Sequence, residues 1–361
     1  MEASTVFNPK MQQPARLSAI ALKRCRETRR LRAFMKLAAA ALALLTGLLT
    51  ASAQNAPGKL ERTRLFGSDY IRLTDWAEAY RFRMFWTRRN EEVQLASSWS
   101  KLEFTVDSHK AGINGVTVYL SAPVALRNGA VFISLLDLQT TVQPVLFPPK
   151  NKVNVPILSV CLDPGHGGRD PGNKEGRRQE KEYTLLLARE VRDWLTGAGL
   201  KVTLTRNGDN FVPLPQRPEI AKKLDADLFV SLHFNAAIAE KDQVKGVEVY
   251  CLTPAGASST NARGDWPDTG AFSGNRADAK NMLLAYLIQK AMVRSLAVED
   301  RGVKRARFAV LRDAQVPAVL IEAGFMSHPA ESKKIFNPDY RQQLAQAIAD
   351  GILAFKRLVE R

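Results

Sequence analysis

Over residues 155–361 short apolar runs alternate with longer segments in which apolar residues recur every three or four positions. The short runs predict strands at Ile157–Leu162, Val202–Thr205, Leu228–His233, Gly246–Leu252, Phe308–Leu311 and Ala318–Glu322. The longer segments predict helices. Leu185, Leu186, Ala188, Val191 and Leu195 mark one face of a helix over Glu180–Leu195, and Gly197 and Gly199 supply its stop. Two more helices are predicted over Ala279–Ser295 and Tyr340–Leu358. Strands alternating with helices argue for an α/β fold built on an open, mostly parallel sheet with helices covering its faces.

Residues 63–145 carry a different pattern. Tyr70–Leu73 reads as a strand, with Thr74 placed to cap a helix through Tyr80. Period-two runs follow at Glu92–Leu95, Lys101–Val106 and Val116–Leu120, broken by turns at Asp107-Ser108 and Asn114-Gly115. A second helix is expected over Phe132–Thr141. The pattern predicts a small α+β module, joined to the larger domain by a Pro- and Lys-bearing linker at 146–154.

The chain has 361 residues, enough for two hydrophobic cores, and its 45% apolar and 24% charged content excludes wholesale disorder. Its formal charge of +16 is unevenly spread. Residues 1–36 hold nine Lys or Arg against two acids, and an uncharged run from Leu37 to Leu49 leads into Ala51-Ser52-Ala53. A basic flank, a short apolar core and an A-x-A ending predict a secretory signal over 1–53, with a single membrane anchor as the alternative. The apolar run falls short of the roughly 20 residues that a span requires. Cleavage after Ala53 removes a net +7 and leaves +9, which suits polyanionic surroundings such as cell-wall polymers or lipid head groups. Export, and the lack of a basic run interleaved with aromatics, argue against nucleic acid as a partner. Beyond the signal only Cys161 and Cys251 remain, read as buried small residues or as a disulfide pair. No C-x-x-C pair exists, which excludes a cysteine-pair zinc site.

The histidines carry the chemistry. His166 follows a predicted strand in Leu162-Asp163-Pro164-Gly165-His166-Gly167-Gly168, and His233 closes the strand Leu228–His233. Ligands in open α/β sheets gather outside the carboxyl ends of strands, so two histidines 67 positions apart have a topological reason to meet. Either ring alone has an ordinary structural reading. The glycines around His166 allow close approach of backbone to a ligand, and the spacing matches no phosphate-binding loop. Glu180 opens a helix, where complementing the helix dipole is a sufficient role, and Glu322 ends an apolar strand, where a buried carboxylate needs a partner. Two His and one Glu with a fourth position open is a known zinc set, and a further carboxylate is then placed for general acid–base work. The module's lone histidine, His109, makes no site.

Several segments in order strengthen this reading: Leu162–Gly168, Asp170-Pro171-Gly172, Glu180-Lys181, Thr205-Arg206, Ser231–Ala236, Val310-Leu311-Arg312 and Pro317–Phe325. Together they resemble the N-acetylmuramoyl-L-alanine amidases of the zinc "amidase 3" class, over residues 155–358. The resemblance implies one Zn2+ per chain on His166, Glu180 and His233, with Glu322 as the catalytic glutamate. It also implies peptidoglycan as the partner and hydrolysis of the amide between N-acetylmuramic acid and L-alanine. Asp170, Asn235 and Arg312 match recurrent positions, with orientation, substrate contact or turn stabilisation all open as roles. His328 departs from the asparagine common at its place. Residues 63–145 resemble the copper amine oxidase-like N-terminal domain, without implying copper. An exported monomer acting in the periplasm or cell wall is expected, with any activator protein unspecified. A stem carboxypeptidase or endopeptidase and a non-cutting wall binder are the competing functions. The segment Thr253–Ala279, with Trp266 and Phe272, is a candidate wall of the substrate cleft.

Overall fold

The computed structural model describes residues 60–260 and 270–361. The segment read as a signal lies outside the described residues, as does Trp266. Among the described residues no helix is long and apolar enough to cross a membrane.

The first part of the chain forms β1 (Arg62–Leu65), β2 (Ser68–Arg72), α1 (Leu73–Ala79), β3 (Arg83–Arg88), β4 (Glu92–Ala96), β5 (Lys101–Thr105), β6 (Lys110–Ile113), β7 (Val116–Tyr119), β8 (Ala125–Arg127) and β9 (Ala130–Ser134). Strands β1, β2, β9 and β8 make an antiparallel sheet in that order, and β3 to β7 make an antiparallel meander. Asn114-Gly115, with φ of 50° and 79°, gives the left-handed pair that a tight hairpin between β6 and β7 requires. Two expectations need correction. Helix α1 begins at Leu73 after Arg72, with no side-chain cap, so Thr74 lies inside it. The expected helix over Phe132–Thr141 is instead the end of β9 followed by a helical run, Leu135–Asp137, Leu138–Val142 and Gln143–Leu146. Ser134 starts that run by accepting a hydrogen bond from the Asp137 amide.

The second part contains β10 (Ser159–Pro164), a small hairpin of β11 (Lys174–Glu175) and β12 (Arg178–Gln179), and α2 (Glu180–Gly197). Then come β13 (Lys201–Leu204), α3 (Gln216–Lys223), β14 (Leu228–Asn235), β15 (Val247–Leu252), α4 (Asp278–Leu296), β16 (Asp300–Ala306), β17 (Ala318–Phe325), α5 (Pro329–Phe336) and α6 (Pro338–Val359). The strands order as β13-β10-β14-β17-β15-β16, parallel throughout except where β15 runs against β17. The strand expected at Phe308–Leu311 is a one-turn helix, Ala309–Arg312, and the true strand is β16 just before it. Strand β16 carries Arg301, Lys304 and Arg305, and no apolar run announces it because those charges are matched only by distant residues.

Alternation along the strands divides the sheet's two faces. Val160, Leu162, Val230, Leu232, Val249, Val319 and Ile321 pack on one face into the main core with α2, α4 and α6. Cys161, Phe229, Tyr250 and Leu320 face the other way into a smaller cluster with Ala221 of α3 and Val310. Cys161 and Cys251 are buried, free thiols on opposite faces, which rules out the disulfide. Asp163, Ser231, His233, Glu248 and Glu322 share the parity of the thinly covered face, where the cleft lies.

Strand β16 also pairs parallel to β7, with Val303 opposite Val118, so the meander extends the main sheet to eleven strands. One hydrophobic core runs from Trp76 and Leu102 through Val118 to Val160 and Ile348. Polar contacts reinforce the seam: Asp300 accepts from the Thr117 amide at 2.7 Å, and Arg305 donates to Thr140 O at 2.7 Å and Thr141 Oγ1 at 2.9 Å. The stretch between the two parts is tied down as well, with Asn151 and Lys150 donating to the last carbonyls of α6.

Candidate metal centre and its cleft

Strand β10 delivers the chain into Gly165-His166-Gly167-Gly168, where His166 takes a left-handed φ of 62°. A side chain in that conformation is costly unless its surroundings impose it. Two buried arginines do so. Arg217 of α3 donates to Pro164 O, to His166 O and to Asp163, while Arg206 donates to Pro164 O and Gly165 O. Asp163, fully buried, also accepts from Thr205 at 2.6 Å and Ser231 at 2.8 Å, so its charge is matched and both its oxygens are hydrogen-bonded. Gly165 and Gly172 are glycines because of space. A Cβ on Gly165 would lie 2.2 Å from the His233 ring, and one on Gly172 would lie 2.6 Å from both Glu180 and His166.

His166, Glu180 and His233 converge, with one ligand atom from each within 4.8 Å of the others. Glu180 Oε1 lies 3.1 Å from His166 Nε2 and 3.0 Å from His233 Nδ1, and the two rings stand 4.9 Å apart at 82°. Its carboxylate accepts two backbone amides as well, from Asn173 and Phe234. Glu180 is therefore buried and fully engaged, beyond what a helix-dipole role asks of it. Burial opposes its ionisation, but the hydrogen bonds and charges of His166 and His233 outweigh burial and hold its pKa far below the usual carboxylate range. For His166, burial favours the neutral ring, yet Glu180 and Asp170 prevail and raise its pKa. Asp170 Oδ2 sits 2.8 Å from His166 Nδ1, which turns Nε2 inward toward Glu180. A carboxylate behind an imidazole is the usual support of a metal-binding histidine. Two imidazole nitrogens and one carboxylate at this separation match the donor set and geometry of a zinc site.

Glu322 sits beside this cluster. It is opposite His233 in the pairing of β14 with β17, and its Oε2 is shielded from solvent with no hydrogen-bond partner among the described residues. Burial, with the neighbouring charges of Glu180 and Glu248, raises its pKa well above the ordinary value. Its surroundings thus favour the protonated carboxyl more than water does.

A cleft of about 530 Å³ opens over these residues. Its lining includes the polar His166, Glu180, His233 and Glu322 and the apolar Phe211, Leu214, Phe308 and Val310. Phe272 does not line it; that ring packs against the Arg312 guanidinium at 5.5 Å, so the proposed role of this segment as a cleft wall is not met by its described aromatic. Asn235 is not among the residues lining the cleft and donates to Glu248. His328 is the N-cap of α5, its Nδ1 accepting from the amides of Ala330 and Glu331, a task that asparagine performs equally well. Sequence reasoning missed Arg217 and Glu248. The first sits in a Pro-rich stretch that reads as loop, and the second in an apolar strand, where a lone glutamate at the parity of His233 was the available signal.

Known proteins resemble the chain in both parts. Residues 160–354 match the N-acetylmuramoyl-L-alanine amidase family model, and residues 67–147 match the copper amine oxidase N-terminal domain. The N-acetylmuramoyl-L-alanine amidase AmiC of Neisseria meningitidis is 35% identical over 215 residues, 54% of this chain and 51% of that protein. AmiA of Escherichia coli is 34% identical over 233 residues, 57% of this chain and 79% of its own length. The chain thus spans about half the length of the first of these relatives. Among solved structures, an N-acetylmuramoyl-L-alanine amidase of Nostoc punctiforme aligns over 55% of this chain and 97% of its own, at 33% identity and a TM-score of 0.46. With more than half of its length matched by the family model, the chain belongs to the N-acetylmuramoyl-L-alanine amidase family.

Proposed function

We propose that the protein hydrolyses the amide joining the lactyl group of N-acetylmuramic acid to L-alanine in peptidoglycan, with one zinc ion held by His166, Glu180 and His233. The observation that carries this reading is the convergence of those three donors beside a carboxylate oxygen, Glu322 Oε2, that has no hydrogen-bond partner among the described residues. Zinc, when bound, supplies Lewis acidity toward the carbonyl and makes water acidic enough to ionise near pH 7. Glu322 takes the proton from the attacking water and returns it to the departing amine of L-alanine. Its raised proton affinity suits the second task, and the charge of a bound cation favours the ionised form needed for the first. Asp170 holds the imidazole of His166 in the tautomer that turns Nε2 inward. Phe211, Leu214, Phe308 and Val310 give the walls an apolar lining that limits the water around the scissile bond. Residues 1–53 act as an export signal that brings the enzyme to the wall, where it works as a monomer.

Digestion of purified sacculi tests this reading. Wild-type protein is expected to release intact stems bearing a free L-alanine amine, seen by mass spectrometry, whereas shortened stems would replace it with a stem peptidase. Chelation should abolish release. Glu322→Ala should lower it by about 10²–10⁴-fold while one zinc per chain remains bound, the scale of general acid–base catalysis.

A further inference from the structure

Across strands β14, β17 and β15, three ionisable residues stand in one row. His233 is paired with Glu322, and Glu322 is paired in turn with Glu248. Two carboxylates directly opposite each other on neighbouring strands repel, so their persistence calls for compensation. All of the visible compensation goes to one of them. Glu248, which is 2% exposed, accepts from Asn235 Nδ2 at 2.9 Å, Tyr250 OH at 2.8 Å and Arg301 Nε at 2.9 Å, and it pairs with Lys304 Nζ. Glu322 Oε2 has no partner among the described residues.

We infer that Glu248 is a positioning residue: it engages Lys304 and Arg301 so that neither cation captures Glu322, whose carboxylate stays available to the cleft. The inference rests on the role given above to Glu322. Both cations come from β16, next to β15, and the strand order places Glu248 between them and Glu322. Lys304 is close enough to Glu322 for its charge to favour the ionised form of that residue. It is also confined, with the rings of Tyr250 and Tyr119 each 5.8 Å from its Nζ, and Tyr119 belongs to β7 of the N-terminal module. Arg301 lies over the Phe325 ring at 4.9 Å. A lysine held beside an unpaired carboxylate moves onto it if its own partner loses its charge, because charge-assisted hydrogen bonds are the stronger ones. Gln at position 248 would keep the shape and the bonds to Asn235 and Tyr250, but would release the lysine.

Full-length, zinc-loaded protein and a soluble N-acetylmuramoyl peptide provide the test. For Glu248→Gln, kcat is expected to fall by at least about tenfold, within the range of general acid–base effects. KM should stay within about twofold, as for a group acting only on the chemical step. Zinc content and melting temperature serve as controls on coordination and folding. In the double variant Glu248→Gln/Lys304→Met the released lysine is gone while Arg301 keeps its place over the Phe325 ring, and most of the lost kcat should return. A merely structural glutamate predicts the reverse, a double variant worse than the single one, and that result would overturn the inference. So would unchanged kcat, or loss of zinc, in Glu248→Gln. Retained activity in Glu322→Ala would instead defeat the reading of Glu322 on which the inference rests.

Discussion

Buried arginines organise both the turn that presents His166 and the seam that joins β16 to the N-terminal module, but they are satisfied in opposite ways. At the turn, Arg217 is 2% exposed and lies 2.8 Å from a fully buried carboxylate, Asp163, which also accepts from Thr205 and Ser231. At the seam, Arg305 is fully buried with only neutral acceptors, Leu252 O, Thr140 O and Thr141 Oγ1, and its Nε has no partner among the described residues. The first arrangement fixes one backbone path, because every polar atom depends on its neighbours. The second joins two surfaces through neutral acceptors, inside a hydrophobic core that both surfaces share. Geometry at the metal centre thus depends on a matched buried charge, whereas the module is held by strand pairing and a shared core to which Arg305 adds neutral hydrogen bonds.

Substitution at each arginine can break this contrast. Arg217→Met leaves the Asp163 charge uncompensated in the core and should cost about 3–5 kcal/mol in urea unfolding, as for other broken buried pairs. Arg305→Met leaves its hydrogen-bond acceptors, all neutral, unfilled, and removes a charge that Asp137 and Asp278 feel without a hydrogen bond; it should cost about 1–3 kcal/mol. Equal losses would remove the distinction between the two regions. The smallest effect is expected outside both. His328→Ala removes an N-cap worth about 1 kcal/mol, His328→Asn should restore it, and neither should alter the rate of sacculus digestion. A drop in rate with His328→Asn would place that side chain in substrate contact after all.

The same contrast explains what could be read from the sequence. Strand-end histidines are local signals, and His166 and His233 fall where the alternation of strands and helices puts them. Glu322 was legible because an acid at the end of an apolar run stands out. Glu180 gave no such signal: its burial comes from two histidines, each on another segment, and a helix-start glutamate looks the same with or without them. Strand β16 was missed for a related reason, since its charges are satisfied across the sheet by Glu248 and across the seam by Thr140 and Thr141. Phe308–Val310 has the apolarity of a strand but serves as a wall of the cleft. Long-range pairing is what a pattern of neighbours cannot carry, and the module's registration on the main sheet, Val118 against Val303, is of that kind.

Gly165 has a consequence for heredity. It has no side chain to offer a ligand, yet the space for its first side-chain carbon is already taken by the ring of His233. Every missense change at that codon therefore acts on the histidine, and selection sees the two positions as a single character. A change at the glycine is a change at the metal centre, although it replaces none of the three donors.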